Sequence, residues 1–126
     1  MVDKVRPPRN PDDKIEVDIF YRNIAREINK LYSGIHTITT LADDATPTVK
    51  GGPIFLTGGT TTITDFDDGK TGQVITVISE HAITITDGTN IFLNGSSNFV
   101  MAATDTLTLV CKADGLWYEK SRSDNT

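Results

Sequence analysis

The chain has 126 residues and carries 12 Lys and Arg against 17 Asp and Glu, a formal net charge of −5. That length supports one domain with room for an appended arm. Residues 1–34 hold seven basic against six acidic side chains and residues 35–126 five against eleven, and so acidic a body repels phosphate backbones, which speaks against nucleic acid as a partner.

The first twenty residues are charged and Pro-rich, unlike a secretory leader. No apolar stretch reaches membrane-spanning length, so a membrane partner is not expected. Residues 1–13 read as an extended arm. Pro7, Pro8 and Pro11 forbid a regular helix and favour extended backbone. The arm carries Lys4, Arg6 and Arg9. A tail without fixed structure and an arm that orders on a partner surface both fit these residues.

Residues 14–34 read as the one helix. Asp13 is placed to cap it, Glu16 completes a box-like start, and Gly34 is a stop signal. Val17, Phe20, Ile24, Ile28 and Leu31 recur at spacings of three and four, which puts one apolar stripe along the helix. Such a stripe packs either on its own β-body or against copies of itself around an axis.

Residues 35–126 read as a Thr-rich β-domain. All nineteen Thr lie at or beyond position 37, and Thr favours pleated, half-buried surfaces. Strands are expected at 35–40, 53–57, 60–64, 73–79, 82–86, 89–93, 98–102, 106–111 and 116–121. Glycine pairs and the dipeptides Asp68-Gly69, Asp87-Gly88, Asn94-Gly95 and Asp114-Gly115 mark turns among them. The sequon at Asn94 reads as one of these turns. The spacing predicts an antiparallel β-sandwich or barrel-like body. The run Gln73–Ile78 is apolar on both faces and should be a central strand. Ile83 and Ile85 should face one way, Thr84 and Thr86 the other. Thr-Ile-Thr at 62–64 and 84–86 lies 22 residues apart, close to a β-solenoid rung, but two copies do not make a solenoid.

Chemistry-bearing patterns are weak. Asp65, Asp67 and Asp68 form the densest carboxylate cluster. Counting from Asp65, position 5 is Gly69, position 6 is Lys70 and position 12 is Thr76, so the spacing fails a calcium loop and fits turn chemistry. His36 and His81 lack ligands at metal spacing. Cys111, in step with Leu107 and Leu109, reads as a buried apolar residue. No nucleophile elbow, phosphate loop or dinucleotide fingerprint is present. No catalytic residue, metal site or cofactor is therefore expected. Trp117 and Tyr118 are adjacent on a strand and so lie on opposite faces. One should fill the core and the other meet a neighbour.

Four stretches in order carry a resemblance: Ala45–Leu56, Thr62–Gly69 followed by Gly72–Thr76, Asp105–Leu109, and Gly115–Ser123. Together they resemble a β-module of tailed-bacteriophage virion proteins, found in tail fibre and tailspike ends, head fibres and capsid decoration proteins. The resemblance implies a β-rich unit that assembles as a homotrimer on the virion, without cofactor or catalysis of its own. The chain starts with Met, its Pro-rich start and short helix look like an attachment arm, and the large body of a spike is missing. The expectation is therefore a capsid decoration (cement) protein or short head fibre that stabilises the capsid surface. Lys4, Arg6, Pro7, Pro8 and Arg9 would dock on the phage major capsid protein. Val17, Phe20, Ile24, Ile28, Leu31, Trp117 and Tyr118 are the candidates for the subunit interface. The alternative is a tail fibre or tailspike component, in contact with tail or fibre proteins and a host surface glycan.

Overall fold

The apolar spacing of the N-terminal third is realised as helix α1, Lys14–Tyr32. The computed structural model describes residues 14–32 and 36–126. The Pro-rich arm, Asp13 and Gly34 lie outside the described residues. The chain divides into two units, residues 1–35 and 36–126. On α1, Val17, Phe20 and Ile24 are half-buried and Ile28 is exposed, with the Phe20 and Tyr21 rings 5.6 Å apart. At 1.5 Å per residue the helix is about 28 Å long.

Eight strands build the second unit: β1 (Ile38–Thr40), β2 (Ile54–Leu56), β3 (Val74–Ile78), β4 (Ile83–Ile85), β5 (Ile91–Phe92), β6 (Phe99–Met101), β7 (Thr106–Ala113) and β8 (Leu116–Ser123). Six of them form one sheet in the order β1-β2-β3-β7-β8-β5, and β4 and β6 form a second. The expected strand at 60–64 is replaced by a single bridge, Ile63 to Ile85.

The large sheet is mixed, which corrects the antiparallel expectation. β1 runs parallel to β2, β2 to β3 and β5 to β8, whereas β3-β7 and β7-β8 are antiparallel. The reason lies in the connections. Residues 41–53 and 57–73 are each a dozen or more residues long, enough to carry the chain back for a parallel return. These returns wind like rungs. Ile38, Ile54 and Thr76 stand in one row, while Thr48 bridges Asp67 and Ile63 bridges Ile85, both in parallel. Ile63 donates its N–H to the Thr84 carbonyl and accepts from the Thr86 N–H, both at 2.9 Å. The 22-residue recurrence of Thr-Ile-Thr is thus a real stacking of one turn of chain on the next. It remains local, because β7 and β8 close the sheet as a hairpin.

Alternation then sorts the side chains. Phe55, Ile75, Val77, Leu107, Leu109, Cys111, Trp117 and Ile91 turn inward from the large sheet and are buried. Ile83, Ile85, Phe99 and Met101 join them from the small sheet, and Leu41, Val49, Ile63, Phe66 and Leu93 from outside these strands complete the core. β3 occupies the middle of the sheet, as the run Gln73–Ile78 predicted. Ile83 and Ile85 are buried while Thr84 is half-exposed, again as expected.

Trp117 is the centre of this core. Its side chain is fully buried, its Nε1–H donates to the Phe66 carbonyl at 3.2 Å, and the Phe66 ring meets it edge-on at 5.9 Å. Gly69 lies flat beneath it, where a Cβ would sit 2.3 Å from Trp117 Cζ2. The Asp68-Gly69 turn is therefore fixed by packing as well as by backbone preference: Asp68 takes φ 68° and Gly69 makes room for the indole.

Candidate functional site

The acidic turns act within the chain. Asp68 Oδ2 accepts from the Thr48 hydroxyl at 2.5 Å, and Lys50 Nζ stands 3.9 Å from Asp68 Oδ1. Asp65 accepts from the Phe66 N–H at 2.8 Å. Burial raises the Asp65 pKa above its ordinary value, against the lowering effect of that hydrogen bond, and the Asp67 charge adds to the rise. Asp43 and Asp114 are held below the ordinary carboxylate value by hydrogen bonds, Asp43 from the backbone and hydroxyl of Thr61 and Asp114 from those of Thr71. Among the described residues no group of three His, Cys, Asp or Glu is arranged to hold a metal ion. No helix among them is long and apolar enough to cross a membrane.

The buried polar groups are structural ties. Asp105 is buried and uses both carboxylate oxygens, accepting from Ala102 N–H and Asn125 N–H, each at 2.8 Å. It pins the C-terminal residues to the turn before β7. Thr57 is buried as well, and its hydroxyl accepts from Glu80 N–H at 2.9 Å and lies 3.1 Å from His81 Nδ1. Glu119 binds Arg122 through two contacts of 2.5 and 2.7 Å and accepts from Asn94 N–H at 2.6 Å. Those bonds, Arg122's first, lower the Glu119 pKa below its ordinary value. The Arg122 guanidinium in turn lies 4.0 Å from the Phe99 ring centre. Cys111 is buried, as its place in step with Leu107 and Leu109 predicted.

The largest feature without a structural task is the outer face of the six-stranded sheet. Register places its side chains in three rows. The first holds Val74, Val110, Tyr118 and Phe92, the second Ile38, Ile54, Thr76, Thr108 and Ser121, and the third Thr40, Leu56, Ile78, Thr106 and Ser123. All are exposed or half-buried. Phe92 and Tyr118 stack with ring centres 4.9 Å apart, and Lys112 Nζ stands 5.3 Å from the Tyr118 ring centre.

Of the subunit-interface candidates, Tyr118 lies on this face. Trp117 does not: full burial in its own chain removes it from the set, because the partner strand pairs it with the inward Cys111. Val17, Phe20, Ile24 and Ile28 share the helix stripe, and the Leu31 side chain lies outside the described residues, as do Lys4, Arg6, Pro7, Pro8 and Arg9. The sequence reading missed Ile38, Ile54, Val74, Val110 and Phe92. A signal for Val74 existed in Gln73–Ile78, whose apolar residues on both faces meant that one set would point away from the core.

No curated protein matches the chain. A model of the phage depolymerase C-terminal beta sandwich domain matches residues 33–118, more than half of the chain and most of the β-body. This agrees with the two facing sheets and with the phage virion motifs between Ala45 and Ser123. The chain belongs to the phage depolymerase C-terminal β-sandwich domain family.

Proposed function

We propose that this chain is a structural module of a bacteriophage tail fibre or tailspike, acting as a homotrimer in the apparatus that meets the host surface. The observation that carries the reading is the family match over residues 33–118, because the family is named for phage depolymerases and a fibre or spike is the part of a tailed particle placed to bring such an enzyme to a polymer outside it. The capsid-decoration expectation has no comparable support, so the fibre or spike alternative takes its place. Within that apparatus the module would hold subunits together or present a recognition surface, and another part would cut the polymer. The ties that occupy Asp68, Asp105, Asp114 and Glu119 support a structural role, since a general acid or base needs a carboxyl group available to substrate.

Separating purified particles into heads and tails tests this. The chain should travel with the tails and be labelled there by antibody in electron micrographs. Recovery with tail-free, DNA-filled heads would overturn the tail reading in favour of the capsid one.

A further inference from the structure

We infer that the outer face of the six-stranded sheet is the surface by which copies of this chain meet. For the number of copies the inference rests on the trimer reading above; for the surface it rests on three observations.

The first is charge. The β-body, residues 36–126, carries eleven carboxylates against five Lys and Arg, so two copies repel one another over most approaches. None of the fourteen positions of the three outer rows is acidic. Lys112 stands at the margin over Tyr118, and Lys120 is the extra residue of the irregularity in β8. By this face two acidic bodies come together without setting carboxylate against carboxylate. The fourteen positions themselves offer a strongly charged partner no matching ion, whereas a second copy brings the same uncharged mixture of apolar, Thr and Ser side chains.

The second is the state of its polar groups. Burying an unpaired hydroxyl is costly, and a paired one costs much less. At the centre of the face the Thr76 and Thr108 hydroxyls bond to each other at 3.1 Å, and at its end Ser123 donates to Asn125 at 2.7 Å. The central pair thus leaves one hydroxyl donor rather than two to be satisfied when the face is dried.

The third is exposure and extent. Ile38 is 51% exposed, Val74 39% and Phe92 37%, and these span the face from one edge strand to the other. Six strands at about 4.8 Å spacing, and five residues at about 3.3 Å rise, give a face of roughly 24 by 17 Å, or about 400 Å² in projection. That suits the dry centre of an interface whose usual area is about 800 Å² per partner, with the remainder from surfaces around it.

The test uses the whole chain and its mass in solution at micromolar concentration. Val110→Lys and, separately, Thr108→Lys place a charge on the outer face of a central strand. Val100→Lys is the control, on the small sheet at a residue 71% exposed. The unmodified chain and V100K should be oligomers, and V110K and T108K should fall to the 13.7 kDa monomer with unchanged circular dichroism. A second readout needs no variant: hydroxyl-radical labelling of Phe92 and Tyr118 in the unmodified chain should rise on dilution to the monomer. A monomeric unmodified chain, oligomers indifferent to both outer-face lysines, or labelling of Phe92 and Tyr118 unchanged by dilution would each overturn the assignment. The two readings fail separately. A dimer that V110K dissociates overturns the trimer and supports the surface; a trimer that V110K leaves intact does the reverse.

Discussion

The two faces of the six-stranded sheet are made by the same strands and share little chemistry. Leu107, Leu109 and Cys111 alternate along β7 with Thr106, Thr108 and Val110, the first set buried and the second half-exposed. On β3, Ile75 and Val77 are buried, whereas Val74, Thr76 and Ile78 lie on the other side. The inner face carries large apolar groups locked against a second layer. The outer face mixes Thr and Ser with medium-sized apolar groups and has no acid at its paired positions. An ordinary solvent face of an acidic domain would be expected to carry some of its charge. Folding constrains the inner face; on the proposal made above, assembly constrains the outer one.

The largest break in this comparison should come from Trp117. Trp117→Ala removes the biggest buried side chain and leaves the Phe66 carbonyl without its donor. The expected loss is about 3–5 kcal/mol, the range for large aromatic truncations in cores, read by urea unfolding of the whole chain. Tyr118→Ala, one residue along and on the other face, should cost the dilute monomer far less.

Next in size is Gly69→Ala. Its new Cβ would lie 2.3 Å from Trp117 Cζ2, and the indole is enclosed and has nowhere to go. Overpacking of this kind costs about 1–3 kcal/mol, seen as a lower denaturant midpoint. If Gly69→Ala proves neutral, the turn is not packed under the indole as described.

A smaller effect is expected from the tie between Glu119 and Arg122. The fold holds the Glu119 carboxyl below its ordinary pKa of 4.5. A lowered folded value means that the contribution is present in full above the unfolded pKa and is lost as pH falls through the folded one. Arg122→Met should therefore destabilise most above pH 4.5, with the difference from the unmodified chain shrinking on further acidification. Asp65 works with the opposite sign. Its folded value is raised above 3.8, so its contribution is greatest below that pH and is lost as pH rises. Unfolding curves of both chains between neutral and acid pH check the direction.

The smallest effect sharpens the outer side. Val110→Thr keeps the shape and adds a hydroxyl on the half-exposed face. The dilute monomer should change by no more than about 0.5 kcal/mol, as for a surface substitution. A much larger loss in the monomer would mean that this face is already packed within one chain.

Much of this was legible from the sequence, for physical reasons that vary along the chain. Turns at Asp68-Gly69, Asp87-Gly88 and Asp114-Gly115 were readable because their chemistry is local. The inward set of β4 was readable because Ile and Thr alternate there. Strand direction was not, since pairing partners far apart in sequence leave no mark on a short run. The Thr-Ile-Thr at 62–64 looked like a strand, yet only Ile63 forms a bridge, because the Thr64 N–H turns to the Ala45 carbonyl at 2.8 Å instead of extending a ladder. The choice between Trp117 and Tyr118 needed register. With the hairpin closed at Asp114 and Gly115, Trp117 falls opposite Cys111, already expected to point inward. The outer face escaped notice because it is assembled from six strands, none carrying more than three of its residues.

Counting copies in the purified particle tests the central claim, that this is a tail fibre or spike module, most directly. Quantitative mass spectrometry against the major capsid protein gives the number. The account predicts a small multiple of three per particle, on the order of a dozen or so, as a trimer on a tail requires. Hundreds of copies, in step with the capsomers of the shell, would contradict it.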